Sequence, residues 1–126
     1  MSNVRLNLIV LYSPDIDRLR AFYTLLGLEL EQEQHERGPL HYAAQAGETV
    51  VEIYPQSAVA NADVSAIRLG FDVAWIDAVL DSLLSAGGKL VTGPQETQRG
   101  IVAVIRDPDG RKVELVESRP RRRCCG

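Results

Sequence analysis

The sequence predicts an α+β fold built from two βαβββ modules in tandem. Two observations predict it. The two halves of the 126-residue chain repeat at an offset of about 60 residues,. Ile16-Asp17 matches Ile76-Asp77, Leu19 matches Val79, and Gly27 matches Gly87. Each half also reads strand, helix, Gly, then three strands. Its last strand carries a glutamate flanked by apolar residues: Val51-Glu52-Ile53 and Val113-Glu114-Leu115. Successive strand side chains face opposite sides, so Val51, Ile53, Val113 and Leu115 face a core while Glu52 and Glu114 face away. A pseudo-twofold between the modules would direct both glutamates to one shared surface.

Residues 4–12 read as the first strand. The helix spans 14–26, with Ser13 as N-cap, Pro14 in the first turn, and Asp15 and Asp17 favouring the positive helix end,. Ile16, Leu19, Phe22, Tyr23 and Leu26 recur at helical spacing, and Gly27 stops it,. Strands follow at 28–35, 40–46 and 49–55. Residues 56–65 are small and polar and read as a linker between module 1 (4–55) and module 2 (66–117), within a single domain spanning 1–118. The second module opens with a strand at 66–73. A helix at 75–86 follows, with Ile76, Val79, Leu80, Leu83 and Leu84 on one face, and Gly87-Gly88 ends it. A short strand at 89–92 leads to a loop at 93–100. The hairpin at 101–106 and 111–117 turns at Asp107-Pro108-Asp109-Gly110, where Pro presets φ, Asp bonds the backbone and Gly takes positive φ,.

Composition bounds the function. Hydrophobic residues make up 45% and charged residues 25%, the range of a globular domain,. No apolar run approaches the roughly 20 residues of a membrane span, and the N-terminus shows no secretory pattern. A cytoplasmic location and no membrane partner are the expectations. Arg119, Arg121, Arg122 and Arg123 sit in a basic flexible tail at 119–126. The body without them is four charges more negative than the chain's −3, which argues against a nucleic-acid partner,. Cys124 and Cys125 are the only cysteines. Adjacent at the end of the chain, they cannot staple the fold, but vicinal thiols can scavenge metal or crosslink chains.

The segments Ser13-Pro14-Asp15-Ile16-Asp17-Arg18, Ala21-Phe22-Tyr23-Thr24-Leu25-Leu26-Gly27-Leu28, Asp107-Pro108-Asp109-Gly110 and Val113-Glu114-Leu115 together resemble the vicinal oxygen chelate superfamily. That superfamily includes glyoxalase I, bleomycin-resistance proteins and extradiol dioxygenases. The resemblance covers residues 4–117. It implies curved mixed sheets enclosing a cleft, and commonly a homodimer. Its metal-dependent members place four ligands on the cleft face, two from first strands and two from last strands. The last-strand positions match Glu52 and Glu114. The first-strand positions fall at Leu8 and Arg68, which cannot ligate, and the guanidinium opposes a cation there.

His41 is the candidate to complete a divalent site (Zn, Ni, Mn or Fe) with Glu52 and Glu114. Counting back from the Ala46-Gly47-Glu48 turn puts it near Tyr54, on the face of Glu52. The competing reading is a hydrogen-bonded histidine that binds no metal. His35 follows a charged run and reads as solvated. Glu52 and Glu114 have two further readings: a salt bridge to Arg68, or a general base for proton abstraction beside a carbonyl. Arg68 reads as a clamp for an anionic ligand, or as a partner of Asp72 on its own face. Tyr12, Tyr54 and Trp75 read as pocket walls or as packing.

Two functions follow. One is a metal-free or metal-poor small-molecule-binding protein of the bleomycin-resistance type, its ligand held by Arg68 and aromatic walls. The other is a divalent-metal glyoxalase-like lyase or dioxygenase acting on a vicinal-oxygen substrate through Glu52 and Glu114.

Overall fold

The computed structural model describes residues 3–56, 64 and 67–118. The basic tail at 119–126, its cysteines and most of the linker expected at 56–65 lie outside the described residues. The chain divides into two compact units, Met1–Asp63 and Val64–Gly126. Each holds a four-stranded mixed sheet and one helix, so the fold is α+β with two modules of the same topology.

In the first unit β1 (Leu8–Ser13) leads into α1 (Ile16–Leu26). Then come β2 (Glu31–Glu33), β3 (His41–Ala46) and β4 (Thr49–Pro55). The sheet order is β1-β4-β3-β2, parallel between β1 and β4 and antiparallel elsewhere. Strand alternation sorts the faces. Leu11, Ser13, Tyr42, Ala44, Val51 and Ile53 are buried, together with Leu19, Phe22, Tyr23 and Leu26 of α1. That leaves Leu8, Val10, Tyr12, His41, Glu52 and Tyr54 on the other face. The helix starts later than its sequence suggests. Asp15 is the N-cap and accepts from Arg18 N. Ser13 ends β1 instead, its hydroxyl accepting from Asp15 N at 3.1 Å. Gly27 closes α1 at φ 128°, and its N–H reaches the carbonyls of Tyr23 and Thr24; a side chain there would be strained.

The second unit repeats the order with β5 (Arg68–Asp72), α2 (Ile76–Ser85), β6 (Lys89–Thr97), β7 (Gly100–Arg106) and β8 (Lys112–Glu117). Its sheet order is β5-β8-β7-β6, with β5 and β8 parallel. Leu69, Val113, Leu115, Ala103 and Ile105 form its core with Ile76 and Leu83 of α2. Trp75 is the N-cap of α2 but makes no side-chain cap bond. The buried carboxylate of Glu117 does so from β8, accepting from Ile76 N at 2.8 Å,.

Among the strands, β2 covers only Glu31–Glu33 of the expected 28–35, and β6 is longer than expected. Residues 93–97 are strand, not loop, and β6 runs unbroken to Thr97 with register shifts near Thr92 and Gln95. β6 is an edge strand, where Pro94 removes no ladder bond that the sheet needs,.

The Asp107-Pro108-Asp109-Gly110 turn forms as its residues dictate, with Gly110 at φ 104°. Asp107 Oδ1 accepts from the backbone of Asp109 and Arg111, and the Arg111 guanidinium lies 3.2 Å from Asp107 and 3.1 Å from Asp109. Asp107 and Arg111 are both buried, so this turn is an ion-paired core element.

Candidate functional site

Each module offers one cluster on the sheet face turned away from its helix. In the first, His41 is 1% exposed. Its ring stacks on Tyr54 with centroids 4.2 Å apart and planes 9° apart. Nδ1 lies 3.2 Å from the Pro39 carbonyl. A carbonyl only accepts, so Nδ1 carries the proton, and in a neutral ring Nε2 is bare. Two carboxylates lie near Nε2, Glu33 Oε1 at 3.4 Å and Glu52 Oε2 at 3.8 Å. Tyr54 Oη is 3.3 Å from Nε2, but the stacked rings bring it over the ring face rather than along the in-plane lone pair. His35 joins from the β2–β3 loop: its Nε2 lies 3.4 Å from the same Glu33 oxygen, and its ring centroid is 5.3 Å from that of His41. Positive φ at Glu36 and a bond from Gly38 N to His35 O turn this loop back toward the sheet.

The Tyr54 phenol has its pKa pushed above the usual tyrosine value, first by partial burial and then by Glu52, Glu33 and Tyr12,. Tyr12 packs on Tyr54 at 6.1 Å. A shallow hollow of about 450 Å³ adjoins Glu33 and is lined also by Glu29 and Glu31.

In the second module Glu114 stands opposite Gly70, where an added Cβ would meet its carboxylate at 4.0 Å, an ordinary contact. Two guanidiniums answer that carboxylate, Arg99 at 3.0 Å and Arg68 at 3.7 Å. Glu114 is 18% exposed, while Arg68 and Arg99 are 53% and 60% exposed. Arg99 is placed by the β6–β7 turn. There Gly100 has φ 117°, and a Cβ on it would meet Glu117 O at 2.3 Å, so only glycine fits,. Asp72 lies on the same face at the far end of β5, and Lys112 pairs with Arg68 in register.

The first sheet thus brings together His41, Glu52, Tyr54 and Tyr12, and the second brings together Arg68 and Glu114. Trp75 stands apart at the start of α2, 66% exposed. Sequence reasoning missed three participants: Glu33, His35 as more than a solvated residue, and Arg99. A Glu-x-His spacing at 33 and 35 opposite a strand histidine was the available signal for the first two. Arg99 had only its place beside the turn glycine.

Two tandem βαβββ units, each with a last-strand glutamate on its sheet face, define a glyoxalase-like scaffold. The chain belongs to the Glyoxalase/Bleomycin resistance protein/Dioxygenase superfamily, whose family model matches residues 5–115. It is 31% identical over 117 residues to a probable chloroplastic lactoylglutathione lyase of Arabidopsis thaliana, covering 84% of this chain but 33% of that protein. The chain therefore spans about a third of the length of that relative. Among solved structures, a glyoxalase family protein from Bacillus cereus superposes with a TM-score of 0.73 at 19% identity, covering 93% of this chain and 95% of the other. The antibiotic binding protein TnmS3 from Streptomyces sp. CB03234 gives 0.69 at 22%, covering 94% and 99%. These two similarities establish the fold. Among the described residues no helix is long and apolar enough to cross a membrane.

The four-ligand metal of the superfamily's metal-dependent members does not fit this chain. The resemblance implies Leu8 and Arg68 at two of its positions, and neither side chain offers a metal donor. A third, Glu114, is already neutralised by Arg68 and Arg99.

Proposed function

We propose that the protein binds a small anionic ligand without the superfamily's shared metal, in the manner of the bleomycin-resistance type. The observation that carries this reading is the pair of arginines on Glu114. One carboxylate cannot balance two guanidiniums. Both arginine side chains remain more than half exposed. Lys112, paired with Arg68, and Arg106, paired with Lys112, add positive charge to the same face, where Asp72 and Glu114 supply the negative charge. Guanidinium forks suit carboxylate, sulfonate and phosphate groups. A homodimer belongs to the same proposal; light scattering from the full chain tests it, and a 13.9 kDa particle would refute it.

The test is fluorescence titration with a naphthalene sulfonate against its uncharged naphthalene analogue. The anion should bind more tightly, weaken with salt, and lose about tenfold in Arg68→Ala and in Arg99→Ala, as expected for losing a charge-assisted bond of roughly 1.5–3 kcal/mol. Equal binding of both probes, unchanged in the variants, would sink the reading.

The alternative is a divalent-metal lyase or dioxygenase acting through Glu52 and Glu114. The 31% identity to the probable lactoylglutathione lyase favours it. It requires metal binding that disappears in Glu114→Gln.

A further inference from the structure

We infer that the first module carries a divalent-cation site of its own, formed by Glu33, His35 and His41 with Glu52 at the fourth corner. This goes beyond the anion-binding reading and uses different residues, so each can fail alone.

The donor atoms of Glu33, His35 and His41 lie within 4.8 Å of one another. Glu33 Oε1 is 3.4 Å from the Nε2 atoms of both histidines. A tetrahedral zinc-like ion with bonds of about 2.0–2.1 Å holds its ligand atoms about 3.3–3.4 Å apart. Those two separations match two edges of such a tetrahedron, and the two histidine donors lie within 4.8 Å of each other. Glu52 Oε2, 3.8 Å from His41 Nε2, is within a small side-chain adjustment of the remaining corner.

His41 adds an independent indication. Its Nδ1 proton is committed to the Pro39 carbonyl, the arrangement that fixes the tautomer of a ligating histidine,. The buried His41 then has a bare Nε2 within 3.8 Å of two carboxylates, themselves partly exposed. A cation shared among them, whether a metal ion or a proton, relieves that crowding of acceptors. The glutamates of the adjoining hollow add negative potential that concentrates cations,. Two imidazoles with carboxylates select a borderline ion of the zinc or cobalt class over calcium or magnesium. Bound there, the ion would tie the β2–β3 loop to the sheet.

The experiment uses the full chain carrying Cys124→Ser and Cys125→Ser, so that no terminal thiol competes, purified without metal-affinity resin. Cobalt(II) is titrated and followed by its visible absorption, then displaced with zinc. One cobalt per chain, with the intense bands of a four-coordinate ion, is expected. His35→Asn and Glu33→Gln should each weaken binding at least tenfold with unchanged circular dichroism, since even outer-sphere losses cost about 10–100-fold. His35 is largely exposed, so its replacement does not threaten the core. Absence of saturable binding, meaning that a proton alone serves the cluster, overturns the inference. So does a cobalt signal that survives either substitution.

Discussion

Glu52 and Glu114 occupy equivalent strands of equivalent modules, yet their surroundings are opposite in kind. Glu52 sits beside a histidine and a second carboxylate, with Glu33, Glu52 and Tyr54 crowding one imidazole. Glu114 sits between two arginines. The first cluster is short of positive charge and the second has an excess. The same scaffold position recurs in both modules, and on the two proposals above the residues around it set whether the face attracts a cation or an anion. Permanent guanidinium charge cannot be exchanged for a metal, whereas imidazole can take a proton or an ion.

The contrast extends to the hairpin turns. Module 2 turns through Asp107 and Arg111, both buried and ion-paired. Module 1 turns through Gly47, and its nearby ion pair, Arg5 with Glu48, is exposed on both sides. The largest effect is therefore expected from Asp107→Ala. It takes one carboxylate partner from a buried guanidinium, and should cost about 3–5 kcal/mol in a denaturant titration,. A loss below about 1 kcal/mol would show that the turn is not a core element.

An intermediate effect is expected from Tyr42→Phe. The Tyr42 hydroxyl donates to Asp17, and Arg20 lies over its ring. The bond to Asp17 is the main cause that raises the phenol's pKa, followed by burial. Losing a hydrogen bond to a charged group costs roughly 1.5–3 kcal/mol near neutral pH. The sign of the pH dependence follows from the raised pKa. The folded state holds the phenol proton more tightly than the unfolded state. Stability is thus intact below the ordinary tyrosine value of about 10 and falls as pH rises above it. All four tyrosines lie in the first module, and Tyr54 is shifted the same way. Tyr42→Phe should flatten the alkaline decline without abolishing it. A decline as steep as the parent's would contradict the assignment.

The smallest effect is expected from Glu48→Ala. Its partner is as exposed as it is, so the change should stay within about 0.2–1 kcal/mol,. A larger loss would mean that the two turns differ less than their burial indicates.

The modules were legible in the sequence because the signals are local. Alternation in Thr49–Pro55 and Lys112–Glu117, helical spacing around Phe22 and Leu83, and the turn glycines each act within a few residues. The 93–97 strand was not legible. Its Gly-Pro and polar residues read as loop, and only the edge position of β6 makes them tolerable. The sites divide on the same principle. His41 could be placed beside Tyr54 by counting through a two-residue turn. Glu33 could not, because the seven residues between β2 and β3 do not fix the pairing of Glu33 with His41. Arg99 and Glu114 are joined only by the β7–β8 register and the backward turn at Gly100.

The central claim is that the two last-strand glutamates belong to two different sites. It is tested most directly by cobalt binding to Glu52→Gln and Glu114→Gln in the cysteine-free full chain. Glu52→Gln should weaken cobalt binding several-fold, while Glu114→Gln should bind as the parent does. Equal and complete loss in both variants would contradict it and return the two carboxylates to one shared metal.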